Sequence, residues 1–237
     1  DITDHPRIDD FLASVEVGDV WGVGWQYTKL LKRHGIKTAL DLKKAHDGSI
    51  RKRMTVQGLR TVWELRGISC IDLEEVIPDK KQIVSSRSFG KDVEDYMEVS
   101  EAIATYATRA AEKLREQKSI CDYISVWIET NRFKPENPQY SNIISCRLPE
   151  PTAYTPMLIK YALHLLSRIY KVGYAYKKAG VALLNIVSAN EVQQNLFVSF
   201  DNSKHSKLME AMDRINGYWG REKVRSGASG YERPWGR

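Results

Sequence analysis

Ile120-Cys121-Asp122-Tyr123-Ile124-Ser125-Val126-Trp127-Ile128-Glu129-Thr130 is the stretch on which the fold turns. Ile124, Val126 and Ile128 fall on one side of an extended chain and Tyr123, Ser125, Trp127 and Glu129 on the other, the period-two pattern of a strand with one buried face. Working outward, residues 131–139 contain two prolines and read as a loop, and residues 140–148 read as the second strand of a hairpin. Upstream lies a long helix, 93–117, with Val93, Met97, Ser100, Ala104, Ala107, Ala111 and Leu114 on its apolar stripe. A strand at 83–89 precedes it. Downstream, Pro149-Glu150-Pro151-Thr152 interrupts the chain, a helix over 155–172 presents Leu158, Tyr161, Leu165 and Ile169, and a strand at 178–187 closes the unit. The order β-α-β-β-α-β describes a split β-α-β sandwich of the α+β class, a four-stranded antiparallel sheet with both helices on one face. The opposite face is free, and Ser86, Arg87, Ser88 and Trp127 are assigned to it as groups suited to sugar-phosphate contact. A fold of this kind hosts many functions and proves none.

The N-terminal third is helical and carries its own signal. Val20-Trp21-Gly22-Val23-Gly24 places two glycines one residue apart, a turn few other residues follow. A helix over 28–34 comes next, ending at Gly35, and Thr38 caps a second through Ala45. Ser49 is a candidate cap for a third, and 57–66 forms a longer one stopped by Gly67. A glycine turn feeding a helix presents backbone N–H groups without intrahelical partners and the positive end of the dipole. That makes a seat for phosphate, held by Gly22, Val23 and Gly24 with Thr28 beside them, in the manner of a helix-hairpin-helix motif. The same spacing fits a plain helix-to-helix turn, and the charges that follow favour the phosphate seat. The dinucleotide fingerprint fails, because its next glycine position is Tyr27.

Lys and Arg total 36 against 30 Asp and Glu, a net charge of +6 and a pI near 9.1. The excess is concentrated. From Lys29 to Arg60 there are ten basic residues, among them Lys29, Lys32, Arg33, Arg51, Lys52 and Arg53, against two acidic ones, Asp41 and Asp47. A solvated helical face mixes its signs, whereas this stretch favours a polyanion. Three separated cysteines, Cys70, Cys121 and Cys146, fit a reduced cytoplasmic protein rather than a disulfide scaffold. The five histidines show no metal-ligand spacing. No apolar run approaches bilayer length and the start has no signal-peptide pattern. The chain begins at Asp1 without methionine, as a fragment would.

A composition shift at 77–81 marks a linker, giving a first domain at 1–76, a second at 82–188 and a tail at 189–237. Within the tail, Gln193-Gln194-Asn195-Leu196-Phe197 ends a polar stretch in two large apolar residues, which either anchor in a partner's pocket or pack back on the sheet. Ser206 is a candidate cap for a short helix at 207–216. Beyond it, basic residues alternate with Tyr218, Trp219, Tyr231 and Trp235, a composition that suits nucleic acid or a protein partner and is also common in flexible termini.

Five segments together carry a family likeness: Asp19-Val20-Trp21-Gly22-Val23-Gly24, Gly35-Ile36-Lys37-Thr38-Ala39, Glu64-Leu65-Arg66-Gly67-Ile68, Ser85-Ser86-Arg87-Ser88-Phe89-Gly90 and Met212-Asp213-Arg214-Ile215-Asn216. In this order they resemble the C-terminal portion of the UmuC-type, Y-family translesion DNA polymerases of bacterial SOS repair and mutagenesis. The resemblance implies that residues 1–76 are the end of a palm and a thumb and that 82–188 are a little finger, both gripping primer–template duplex mainly through its backbone. It implies that 193–197 are a sliding-clamp-binding peptide, with Leu196 and Phe197 as buried anchors, Gln193 as the polar one and Gln194 where leucine is often found. UmuD′ and a recombinase filament are implied as further partners, and a bacterial, nucleoid-associated setting as the location.

Nucleotidyl transfer needs carboxylates that hold two metal ions, Mg2+ for the intact polymerase, and in this family they sit N-terminal to the thumb. The acidic pairs Asp9-Asp10 and Glu74-Glu75 have no such setting and read as surface charge. No catalytic, cofactor or metal residue is therefore assigned within these 237 residues. The competing reading is a stand-alone, non-catalytic regulator that occupies DNA or the clamp. A blander third is an interaction domain with no DNA role.

Overall fold

The computed structural model describes residues 6–70, 79–189 and 202–236. The chain divides into two compact units, Asp1–Ile77 and Pro78–Arg237.

The first unit is helical: α1 (Ile8–Ser14), a 3-10 turn at Val17–Asp19, α2 (Trp25–Arg33), α3 (Ala39–Lys44) and α4 (Asp47–Leu65). Val17, Val23, Leu31, Leu42, Ile50, Met54 and Val62 form its core. Glycine ends two of the helices as expected. Gly35 takes φ +80 and Gly67 φ +86, and in each case the next amide reaches back over the last turn, Ile36 to the Leu31 carbonyl at 3.1 Å and Ile68 to that of Trp63 at 2.9 Å. Thr38 caps α3 in a capping box with Asp41. Two expectations need correction. Helix α2 begins at Trp25 rather than Thr28, because Gly24 is its N-cap, with φ −73 and ψ 169. The third helix has His46 rather than Ser49 at its N-cap position, and Thr55, with φ 64 and ψ −168, breaks α4 between it and the fourth, so the two helices read from the sequence are both present.

The second unit holds β1 (Ile83–Val93), α5 (Tyr96–Glu116), β2 (Ser119–Thr130), β3 (Ser141–Thr152), α6 (Thr155–Ile169), β4 (Tyr176–Ser188) and α7 (Asn202–Trp219). The strands run in the order β1-β4-β2-β3, every neighbouring pair antiparallel, so each helical crossover skips one strand. This is the expected split β-α-β sheet. Ile83, Phe89, Ile124, Val126, Ile128, Ala179, Val181 and Leu183 meet α5 and α6 in a continuous core. Strand β3 runs through Pro149 and Pro151 instead of stopping before them. It lies at the sheet edge, where a residue without an N–H costs no ladder bond, and its register shifts between Cys121 and Tyr123. On α5, Met97 is exposed, whereas Val99, Ala102, Ile103, Tyr106, Ala107, Ala110, Ala111 and Leu114 are buried. Asp95 caps that helix at the Glu98 amide, 2.9 Å away, which starts it three residues later than the apolar stripe suggests.

The tail is built into this unit rather than hanging from it. On α7, Asp213 receives both the Nε and an Nη of Arg115, at 2.6 and 2.8 Å, and Arg115 also donates to the Ala153 carbonyl and the Thr155 hydroxyl. Further on, Arg109 and Arg233 converge on Glu222. Trp235 is 5% exposed and meets Phe89 and Tyr106 edge-on, with ring centroids 6.3 and 5.8 Å apart. Its carbonyl accepts from the Gly90 amide at 3.3 Å.

Candidate nucleic-acid interface

In the first unit the glycine turn is closed by the Val23 amide donating to the Val20 carbonyl at 3.0 Å, with Gly22 at φ +88. Only glycine enters that left-handed region without strain. The side chain of Val23 is buried in the core and pins the turn to it. The assignment of Val23 as a phosphate donor is therefore corrected, because its N–H is consumed inside the turn. Gly24 differs from Gly22. Its φ is ordinary, and nothing lies within 4 Å of where a Cβ would stand. No side chain caps α2, and the Thr28 amide is the first to reach back, to the Gly24 carbonyl at 2.9 Å. That leaves the Trp25, Gln26 and Tyr27 amides at the open end of the helix, where the dipole is positive. The donor cluster thus sits three residues later than the sequence places it. The Thr28 hydroxyl turns back to the Gly24 carbonyl at 3.1 Å.

A shallow groove runs along the exposed side of α2, lined by Gly18, Asp19, Trp25, Thr28, Lys29, Lys32 and Arg33. Gly18 lets the 3-10 turn approach, since a Cβ there would stand 3.0 Å from the Thr28 side chain. Lys32 is held by Glu16 at 2.7 Å, which also keeps that carboxyl below its usual range. Lys29 and Arg33 are exposed, with no carboxylate at salt-bridge distance among the described residues. On α4, Arg51 and Lys52 are exposed and outside this groove, while Arg53 is half-buried and donates to the carbonyl and hydroxyl of Ser49. Of the basic residues singled out in this unit, Lys29 and Arg33 are therefore the ones brought together unneutralised. Trp21 and Trp25, which sequence reasoning passed over as contacts, are 95% and 75% exposed on either side of the turn. Two tryptophans bracketing a glycine pair was the signal that pointed to them.

In the second unit the free face of the sheet mixes serines and other small residues with a few large ones. Ile143, Trp127, Gly180 and Ser86 form one row across all four strands; Ser145, Ser125, Ala182 and Val84 form another; Ser141, Glu129, Lys178 and Ser88 a third. The Trp127 indole lies over Gly180, where an added Cβ would come within 2.2 Å of it. Lys178 and Glu129 pair at 3.5 Å. Ser86, Ser88 and Trp127 share this face as expected, but Arg87 does not. Strand periodicity puts Arg87 on the side of Ile83, Ser85 and Phe89, where it is exposed beside α5. There it tempers the Tyr106 phenol, whose pKa burial pushes up to about 12.

Among the described residues no group of three His, Cys, Asp or Glu is placed to hold a metal ion, and no helix is long and apolar enough to cross a membrane. Asp9 is exposed and pairs with Lys43 at 2.6 Å. The residues assigned to the clamp peptide, Gln193, Gln194, Asn195, Leu196 and Phe197, lie outside the described residues, as do Glu74 and Glu75.

Residues 80–196 match the family described as the impB/mucB/samB family C-terminal domain, and residues 206–237 match a domain of unknown function, DUF4113. Protein UmuC of Salmonella typhimurium strain LT2 is 41% identical over 238 residues, 99% of this chain and 56% of that protein. Protein ImpB of Salmonella typhimurium is 42% identical over 89% of this chain and 50% of its own length. DNA polymerase IV 1 of Mesorhizobium japonicum is 22% identical over 92% of this chain and 48% of its own length. The chain spans about half the length of these relatives.

Proposed function

This chain belongs to the impB/mucB/samB family, whose C-terminal domain it carries at residues 80–196, and we propose that it is the duplex-gripping part of an error-prone, Y-family translesion polymerase. Its first unit is a thumb of the helix-hairpin-helix kind and its second a little finger. The observation that carries this reading is the open N-terminus of α2, with its uncapped amides beside the exposed Lys29 and Arg33. Such a site takes backbone phosphate and reads no sequence. The free face with Ser86, Ser88 and Trp127 suits the same partner. Gln193–Phe197 docks the assembly on a sliding clamp, a UmuD′ dimer and a recombinase filament complete it near the nucleoid, and Mg2+ serves a palm outside this chain.

The test is fluorescence anisotropy of the chain on a primer–template duplex across a salt series. The log–log slope is expected to be several units, at about −0.9 per neutralised phosphate. Gly24→Val adds bulk over the amides in open space and at a permitted φ, so it is expected to lower affinity and leave the melting temperature alone. No binding at low salt, or full affinity in Gly24→Val, would overturn the phosphate seat.

A further inference from the structure

Trp25 has no structural reason to be a tryptophan. Its indole is 75% exposed, makes no hydrogen bond or ring contact among the described residues, and the first position of a surface helix needs no large apolar group. Leaving such a ring in water forgoes the gain of burying it, and exposed apolar surface beside a charged groove marks a contact site. Trp25, Lys29 and Arg33 stand four residues apart, on successive turns of one face of α2. At 1.5 Å per residue they cover about 12 Å. The rise of about 3.4 Å per phosphate in B-form DNA is measured along the duplex axis and successive phosphates stand farther apart along the strand itself, so the row matches about two nucleotide steps. Lys29 and Arg33 line the groove without an ion-pair partner among the described residues, Lys32 beside them is held by Glu16, and the one carboxylate among the lining residues is that of Asp19. Its occupant is accordingly anionic along its length and offers an apolar or aromatic surface at the Trp25 end.

We propose that Trp25 is a nucleic-acid contact residue: a DNA strand lies along α2 with its phosphates on Lys29 and Arg33, and a sugar or base face of the same strand packs on the indole. This rests on the reading of the first unit as a DNA grip and adds what the phosphate seat lacks, a part of the affinity that salt does not screen. Aromatic stacking carries no counterion release, whereas each lysine or arginine contact does.

The experiment measures binding of the full chain, and of its Trp25→Ala, Trp25→Phe and Lys29→Ala variants, across a salt series by anisotropy. The probes are a blunt duplex, a primer–template with an unpaired overhang, and a single strand. Trp25→Ala is expected to weaken binding roughly tenfold at every salt concentration with the slope unchanged, Trp25→Phe to recover part of the loss, and Lys29→Ala to lower the slope by about 0.9. A loss confined to DNA with unpaired bases assigns base stacking, and an equal loss on the blunt duplex assigns packing on sugar. Because the ring is exposed, thermal melts of the variants are expected to overlay the parent, which separates contact from folding. Wild-type affinity in Trp25→Ala, or a loss that comes with a smaller slope, overturns the proposal while leaving the phosphate seat intact. Absence of DNA binding by the parent chain overturns the DNA grip itself.

Discussion

Replacing Trp235 by alanine removes a core residue that the chain contributes from its far C-terminal region. A buried aromatic deleted to alanine costs about 3–5 kcal/mol, including the two edge-on contacts with Phe89 and Tyr106. One term opposes this. The buried Trp235 Nε1 has no hydrogen-bond partner, so deleting it relieves about 1–2 kcal/mol of desolvation. The tail can also swing away and admit water to Phe89 and Tyr106, which limits the cavity term. The net loss is about 3 kcal/mol. For a unit of roughly 160 residues this lowers the melting temperature by about 6–12 °C, or the urea midpoint by about 1.5 M at a slope near 2 kcal/mol/M. The assay is a urea titration of the whole chain followed by near-ultraviolet circular dichroism, with Trp235→Phe expected to recover about half the loss. A midpoint for Trp235→Ala within about 0.3 M of the parent would refute the buried placement of Trp235.

Two further outcomes follow from the geometry. Asp41 accepts from the Lys37 and Thr38 amides at 2.9 and 3.0 Å, which holds its carboxyl below the ordinary value of 3.8. Its stabilisation is therefore complete above that value and is lost as pH falls through the depressed one. Asp41→Ala is expected to cost about 1 kcal/mol at neutral pH, near the lower end for a cap on an accessible group, and thermal melts of parent and variant should converge in acid. In Gly180→Val the new Cβ would stand 2.2 Å from the Trp127 ring and 2.6 Å from the Ser86 Cβ. The indole must lift off the sheet, so acrylamide quenching of tryptophan emission should rise, with about 1–3 kcal/mol lost to overpacking; unchanged quenching would show that Trp127 does not lie over Gly180.

What the sequence made legible was what short-range physics decides. The alternation of Ile124, Val126 and Ile128, the stops at Gly35 and Gly67 and the Thr38 cap depend on neighbours a few residues away, and each stands where it was read. Pro149 and Pro151 were misread as a break because only sheet order shows that β3 is an edge strand. Val23 was misread as a donor because its residue type does not reveal where its amide points. Arg87 was placed on the wrong face by treating three adjacent residues as one group, although the period of two already separates it from Ser86 and Ser88. Trp235 was hidden most deeply. A tail rich in glycine, arginine and aromatics looks the same whether it is loose or docked, and its partner Phe89 lies far up the chain.

That distance gives the docked tail a role in time as well as in space. At synthesis rates of about 5–20 residues per second, Trp235 is made on the order of ten seconds after Phe89. For the last part of that interval, after β4 is completed at Ser188, the sheet and α5 exist without the indole that covers Phe89 and Tyr106. The contact closes a long loop, so a φ-value near zero is expected for Trp235→Ala in folding kinetics. With such a φ-value, strengthening the contact would leave the folding rate unchanged and slow unfolding instead, and Trp235 would act as a latch that sets how long the finished unit persists.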